Sequence, residues 1–440
     1  MTARGHDALS FAARDPSMLR WDDPEGDAWV GYADTGGAWV AATGPIAGPR
    51  DVAAVAARFV DAARRAGRRT IFFATERALG PDLRMTLVGE QPIFQPRAWL
   101  AGVARHRRLK EQLRRARAKG VHVRRVEPDE LREGTDLRAE ADALCAAWLA
   151  TRHMEPMGFV ARVDPLQARD DHLYLVAEWR GRVVELLSAV PIADRDAWLV
   201  RDVVRSNAPN GTSELLLHAL LREVEGASFV TLGLTPLSGD VALPLRAARI
   251  LTRGLFDFAG LRAFRERLHP TAWEPVWLAT PPDVPIALAF FDLLRAFARG
   301  DLVRFAALSL WRHPSGAPWA IAMLTSSLTI ALDLIALVHA QVSSVELLGW
   351  VGFDVTLTVW LSTTALRPRR ASLGLGATLT TASAVLWVCR AAALTGTGRA
   401  AVAALAAAIL RGTAAAWLLY ASARAITSGR AAAPAASSRR

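Results

Sequence analysis

Arg-Asp-Val-Val-Arg-Ser-Asn-Ala-Pro-Asn-Gly, residues 201–211, carries an extended segment into a turn and then into a helix. Pro209 fixes φ, Asn210 is placed to cap the helix, and Gly211 omits a side chain so that the N–H groups opening the helix can face a ligand. An ordinary capped helix satisfies the same three residues. It does not explain the charges: Arg201, Asp202 and Arg205 interrupt a strand that should be half buried. Strands are also expected at 172–179 and 182–192, meeting at Arg180-Gly181, with a third over 196–204 and a buried one at 229–234. The same order occurs earlier. A hairpin is expected at 28–33 and 38–43 around Gly36-Gly37, whose glycines supply the positive φ of a tight turn. A helix over 49–66 stopped by Gly67 and a buried strand at 70–74 follow. The order predicts two related α/β halves, although chance recurrence of a common pattern leaves the same trace. Residues 1–20 read as a poorly ordered start.

Two further motifs follow. Leu-Gly-Leu-Thr-Pro-Leu-Ser-Gly, 232–239, places Gly233 after a buried strand and shapes a loop with Pro236 and Gly239 at the strand's carboxyl end, where ligands of α/β sheets gather. Phe-Ala-Gly-Leu-Arg-Ala-Phe-Arg-Glu-Arg-Leu-His-Pro, 258–270, then Trp273-Glu274-Pro275, reads as a short helix presenting Arg262, Arg265 and Arg267 ahead of His269. Arg262 and Arg265 lie three apart on one helical face, a spacing suited to gripping a phosphate or carboxylate. A solvated helix paired with Glu266 is the other reading.

Together the three motifs resemble the synthase domain of bacterial lysylphosphatidylglycerol synthases, which move an amino acid from aminoacyl-tRNA to a membrane lipid. The resemblance spans roughly residues 28–281. It implies tandem acetyltransferase-like (GNAT-like) α/β halves over 21–127 and 128–284. It matches an Asp and an Arg to Asp202 and Arg205, and the family's Leu-Gly-Met-Ala-Pro-Leu-Ser-Gly to 232–239. Family members carry lysines where this chain has Arg265 and Arg267. Arginine does not shuttle protons, so these positions are assigned to binding charge. The family's Gly-Asp-Pro becomes Thr43-Gly44-Pro45 here, losing an acid. The full-length synthases place a larger multi-span flippase before the synthase domain, and here the apolar stretches follow it.

The expected activity is esterification of an anionic phospholipid such as phosphatidylglycerol from aminoacyl-tRNA. The donor ester is already activated, so no cofactor is needed, and no phosphate-binding Gly-x-x-x-x-Gly-Lys loop is present in the sequence. Asn210 and Gly211 are expected to hold the ester, with Gly233, Arg267 and His269 also binding substrate. Arg205, Arg262 and Arg265 are expected to bind phosphate, and Asp202 to orient the α-amino group or receive the proton. Coenzyme A-binding acetyltransferases carry several glycines where only Gly211 stands, which disfavours an acyl-thioester donor. A non-catalytic membrane scaffold binding tRNA or lipid is the remaining alternative.

Between the halves, residues 105–120 form a helix with Arg107, Arg108, Lys110, Arg114, Arg115 and Arg117, flanked by Arg105 and Lys119. Like charges at helical spacing repel, and tRNA or an anionic bilayer would neutralise them; a plain solvated face is the other reading. Only Lys110 and Lys119 of the 53 basic residues are lysines, and the net charge is +11. With only Cys145 and Cys389, neither a disulfide framework nor a thiolate metal site is expected.

Four apolar stretches at 318–340, 345–366, 372–394 and 400–423 each reach the roughly 20 helical residues that cross a bilayer core. Arg304, Arg312 and the 367–370 loop against the Arg-poor 341–346 and 395–399 segments place both termini in the cytoplasm of a bacterial inner membrane, with a tail at 425–440. No leader sequence is expected. Asp333 with Arg390 and Asp354 with Arg411 lie at matching depths, as bundle-holding pairs or as a headgroup pocket. The connector at 285–317 carries Ile286, Leu288, Ala289, Phe290, Leu293, Leu294 and Phe297 on one broad face. It is either an interfacial helix or one packed on the soluble domain.

Overall fold

The computed structural model describes residues 5–47, 51–152, 155–162, 165–166, 171–243, 245–246, 249 and 257–302, with scattered positions up to 385. The expected spans at 318–424, their pairs Asp333–Arg390 and Asp354–Arg411, and the tail lie outside the described residues, those scattered positions apart. Among the described residues no helix is long and apolar enough to cross a membrane. The chain divides into two compact units, Met1–Ile250 with Asp257–Ala306, and Leu251–Phe256 with Ala307–Arg440.

The first unit is built on one sheet. Its first half supplies β1 (Leu19–Asp22), β2 (Trp29–Asp34), β3 (Ala38–Ala41), α1 (Val52–Arg65), β4 (Arg69–Thr75) and β5 (Arg84–Phe94). Two helices, α2 (Pro96–Gly102) and α3 (Arg107–Ala118), lead to β6 (His122–Val126), α4 (Asp136–Ala150), β7 (Leu173–Trp179), β8 (Arg182–Ile192) and β9 (Ala197–Arg205). Then come α5 (Thr212–Glu223), β10 (Phe229–Thr231), β11 (Thr235–Pro236), α6 (Phe258–Glu266), β12 (Ala272–Thr280) and α7 (Ile286–Phe297). The strand order is β1-β2-β3-β4-β12-β5-β10-β9-β8-β7-β6, with β11 pairing with β5 off this path.

Both expected hairpins form, and in each half an antiparallel run ends in a parallel step, β3 onto β4 and β9 onto β10. This is the acetyltransferase-like arrangement. Only Gly36 of the Gly36-Gly37 pair takes positive φ. α1 forms where Asp51 caps Ala53 and Ala54 N–H groups, and its apolar face buries Val55, Ala56, Phe59 and Ala63. Phe59 meets Trp21, Tyr32, Trp39 and Phe72 at 5.4–5.6 Å between ring centres. In the second half, α3 and α5 cover one side of β7–β9 through Leu109, Leu113, Leu216 and Leu220. α4 covers the other through Ala141 and Leu144 against Tyr174 and Leu186.

Two features depart from the sequence reading, and a third settles an alternative it left open. Residues 8–14 are not a loose start: Ala8–Arg14 is a 3-10 helix that buries Ala8, Ala12 and Ala13 in the cores of the unit. β12, which follows the second half in sequence, inserts between β4 and β5 of the first, and β6 joins the second half's edge, so the halves interlock. The connector helix α7 packs on the first half, burying Ala289, Leu293 and Ala296 beside Phe73 and Leu278. Its opposite face leaves Leu288, Phe291 and Leu294 exposed.

α7 is locked by an ion pair. Asp292, fully buried, accepts from Arg69 Nε at 2.9 Å and Nη2 at 2.7 Å. Arg69→Leu leaves that carboxylate uncompensated, a loss of about 3–5 kcal/mol for a buried pair, tending to the lower figure because the guanidinium is partly in solvent. Arg69→Leu with Asp292→Leu should recover most of it. Urea unfolding followed by tryptophan fluorescence checks both; equal stability of the single and double variants would mean that the pair does not hold the helix.

Candidate functional site

Beyond Leu199 and Thr231 the parallel strands β9 and β10 part company, because β10 ends while β9 continues to Arg205. β9 also bulges at Arg201: Ser188 opposes Asp202, whereas Ala189 opposes Val200. A bulge re-aims side chains and is common beside active sites. Here it sets Arg201 Nε 3.4 Å from Asp202 Oδ2, with the Arg201 guanidinium over the Phe11 ring. Asp202 is buried and accepts from Ser188 Oγ at 3.2 Å. Ser188 stands opposite Tyr174, so the row runs Tyr174, Ser188, Asp202 across three strands.

Arg201 lines a small recess with Phe11, Asp15, Phe159 and Arg162. Phe159 and Arg162 also line a cavity of about 450 Å³ whose wall includes Ser17, Met18 and Arg299. Burial pushes the Asp15 carboxyl up, but the Ser17 hydroxyl and N–H, with Arg162 and Arg201, outweigh it and hold it below the ordinary carboxylate range. Three guanidinium groups beside the Phe11 and Phe159 rings, that of Arg201 lying over Phe11, suit an anion with an apolar body. Of the residues named here only Asp202 was expected in the site. Arg162 and Arg299 were missed because nothing local in the sequence brings them to β9.

The opening of α5, expected to hold the ester, is packed against α3. The cap is Gly211, at φ +95°, not Asn210. A Cβ on Gly211 would lie 2.3 Å from the Gln112 carbonyl oxygen, so the glycine admits α3 rather than a ligand. Arg205, expected to bind phosphate, donates to the carbonyls of Ala208 at 2.8 Å and Pro209 at 3.5 Å and so fastens the turn. Two acids also sit at this helix end, Glu214 and the fully buried Glu185. Burial pushes the Glu185 carboxyl up to about 7, against the lowering effect of Ser213 and Arg205 and with help from Glu214. A phosphate on this terminus would meet both. Glu185 was missed, although a glutamate inside Val-Val-Glu-Leu-Leu is a signal.

The arginines of 258–270 also part ways. Arg262 binds Glu90 at 2.5 Å and lies 3.3 Å above the Trp273 ring. Arg265 donates to the Gly233 and Leu232 carbonyls at 2.7 and 2.6 Å and to Thr235 Oγ1 at 2.6 Å, and burial lowers its pKa to about 10. They staple α6 to β5 and to the 232–235 loop and do not converge on one phosphate. Gly233, at φ +69°, belongs to that loop. Arg267 lies over Phe264, and His269 stacks on His106 at 3.8 Å between ring centres. All six cations of the basic helix are exposed. Glu111 pairs with Arg114 and Arg115; among the described residues no carboxylate pairs with Arg107, Arg108, Lys110 or Arg117.

In the first half, the gap beyond β3 and β4 is filled. Asp7 Oδ2 accepts from Thr43 Oγ1 and, at 3.1 Å, from Gly44 N–H, and its Oδ1 accepts from Glu76 N–H at 3.2 Å. The acid missing from Thr43-Gly44-Pro45 is therefore replaced through space by the N-terminal segment. Burial and Asp7 push Glu76 up to about 7, against the Ala8 N–H and Arg195.

A family described as phosphatidylglycerol lysyltransferase, C-terminal, matches residues 2–280. The chain belongs to this family. Its fold is similar to two solved structures. One is the C-terminal domain of a putative lysylphosphatidylglycerol synthetase from Agrobacterium fabrum, at 22% identity and TM-score 0.57, covering 67% of this chain and 94% of that one. The other is L-PGS from Bacillus licheniformis, at 21% identity and TM-score 0.58, covering 67% and 93%. No curated protein matches the chain. The three motifs thus mark the family, and in this member two of them chiefly maintain shape.

Glu185 gives the second half a pH signature. With its folded pKa raised from 4.5 to about 7, the native state keeps a proton that the unfolded chain has released, so stability falls as pH rises across that window. Glu185→Gln should decline less steeply than wild type between those two pH values in urea unfolding. An unchanged slope would mean that this carboxyl does not titrate there.

Proposed function

We propose that this chain transfers an aminoacyl group from tRNA to a hydroxyl of an anionic phospholipid, of the phosphatidylglycerol kind, at the cleft below the β9 bulge. The observation that carries this reading is the Arg201–Asp202 bulge beside a cavity lined by Arg162 and Arg299. The lipid phosphate sits among the arginines, and its acyl chains meet Phe11, Phe159 and Met18. The lipid hydroxyl attacks the ester carbonyl, the carbonyl–ribose oxygen bond breaks, and the hydroxyl proton passes to the departing ribose oxygen. Asp202 orients the α-ammonium group or relays that proton. No other reactant is required.

Three observations support the partners. The closed α5 opening, pressed on Gln112 and bearing Glu185 and Glu214, counts against a coenzyme A thioester, whose pyrophosphate takes a helix N-terminus. The exposed cations of α3 suit tRNA. The outward stripe Leu288, Phe291 and Leu294 on α7, near Arg295 and Arg299, suits an anionic bilayer surface. The apolar stretches after residue 318 supply the anchor, which places the protein in the inner membrane with its synthase domain in the cytoplasm.

Lipid extracts of expressing cells should contain an amino-acid ester of a phospholipid by mass spectrometry. Ribonuclease treatment of membranes should abolish its formation, and Asp202→Asn should reduce it by about 10²- to 10⁴-fold if the proton relay operates. Activity that resists ribonuclease and needs an acyl thioester would overturn the proposal.

Arg107→Ala, Arg108→Ala and Arg117→Ala together should weaken tRNA binding and reduce the slope of log affinity against log salt by about 0.7–0.9 per lost phosphate contact. An unchanged slope would remove α3 from the tRNA interface.

A further inference from the structure

A second pocket lies away from the β9 cleft, where the end of α6 meets α2 and the start of α3. It encloses about 430 Å³ and is lined by Trp99, Arg105, His106, Glu266, His269 and Trp273, among others. That volume falls within the roughly 300–1,000 Å³ of small-ligand sites.

Its construction is aromatic. The imidazoles of His106 and His269 stack at 3.8 Å and 14°. His269 takes φ +54°, a left-handed conformation that non-glycine residues seldom adopt. Both histidines are only partly buried, so core packing does not explain why the strained conformation is held. The Trp99 indole is fixed by its N–H to the Leu268 carbonyl at 2.7 Å, which steadies the chain just before His269.

Its rim is charged in a particular way. Arg105 lines the pocket, and Arg107 and Arg108 follow His106 directly at the start of α3, all three exposed. Glu266 supplies one exposed carboxylate. Flat π surfaces beside a row of cations are the usual equipment for unpaired nucleotides: bases stack on the rings and phosphates follow the cations. A carboxylate at the edge accepts from an exocyclic amine, as cytosine and adenine offer.

We infer that this pocket receives an unpaired, amine-bearing base of the RNA partner, cytosine or adenine, stacked against the His106–His269 pair. The inference rests on the tRNA-dependent reading above and adds a second contact to it. α3 holds phosphates of any sequence, whereas this pocket tests for a free single-stranded end.

The test uses the full-length protein in detergent micelles and fluorescence anisotropy with three RNA hairpins of one stem. One ends in an unpaired 3′ CCA, one in UUU, and one is blunt. Wild type should bind the CCA hairpin about 5- to 100-fold more tightly than the blunt one, the range expected for base stacking. His106→Ala should reduce that preference to under about twofold and His106→Trp should restore it, with circular dichroism checking the fold of each. Glu266→Ala should let the UUU hairpin approach the CCA hairpin. Equal binding of CCA and blunt hairpins by wild type, or an undiminished preference in a folded His106→Ala, would overturn the inference while leaving RNA binding by α3 intact. Binding of none of the hairpins would instead remove the tRNA reading, and this pocket's role with it.

Discussion

The pairing of β12 with β5 is the constraint on which the unit depends. From Ala272 opposite Ile93 to Thr280 opposite Arg84, a strand that follows the second half in sequence completes the sheet of the first. β5 carries β10 on its other edge, so a single strand joins both halves. Neither half closes its sheet without chain from the other. The β9 cleft inherits this arrangement: its walls come from residues 11–18, from 158–162, from β9 and from the end of α7. α7 in turn shares one core with β4 and β12, through Phe73 and Leu278.

Arginine does two kinds of work in this chain, and the sequence alone does not separate them. Arg205 and Arg265 direct their guanidinium groups at backbone carbonyls, Arg69 at the Asp292 carboxylate, and Arg262 at Glu90 with Glu266 beside it. A guanidinium offers five donors in a rigid fork, so one residue can fasten a loop that would otherwise carry several unpaired carbonyls. That explains how lysine positions of the family can become arginine here without supplying a proton carrier: Arg265, buried against Leu232, Gly233 and Thr235, is a fastener. The arginines beside the cavity come from elements outside the 258–270 motif.

Much of the fold was legible because it is local. The 36–37 hairpin, α1, β4, β7 to β9 and α5 are written in alternation, helical period and turn residues, and these survive in the structure within a few positions. The partner of β12, the seat of α7 and the insertion of Asp7 against Thr43 and Gly44 are pairings across scores of residues, which no window of sequence contains. Of the candidate residues, Asp202 stood out because its charge contradicts its strand, and the structure places it buried against Arg201 and Ser188 at the β9 bulge. The surroundings of Arg205, Asn210 and Gly211 were not legible for a related reason: a Pro-Asn-Gly turn looks the same whether a ligand or a neighbouring helix lies against it, and here Gln112 of α3 lies against Gly211.

The two faces of the second half also differ in the range of their electrostatics. On α3 the cations project into water, where their field reaches about a Debye length, some 8–10 Å at physiological salt, and falls with added salt. Such a surface recruits a large polyanion and discriminates little. In the cleft, Arg201 and Asp202 have side chains that are almost wholly buried, and their interaction is screened far less. A substrate entering there must replace the lost hydration of its phosphate by contacts of defined direction, which selects for headgroup shape rather than for charge alone. On the proposed function, recruitment and selection fall to different surfaces, and salt should weaken the first well before it touches the second.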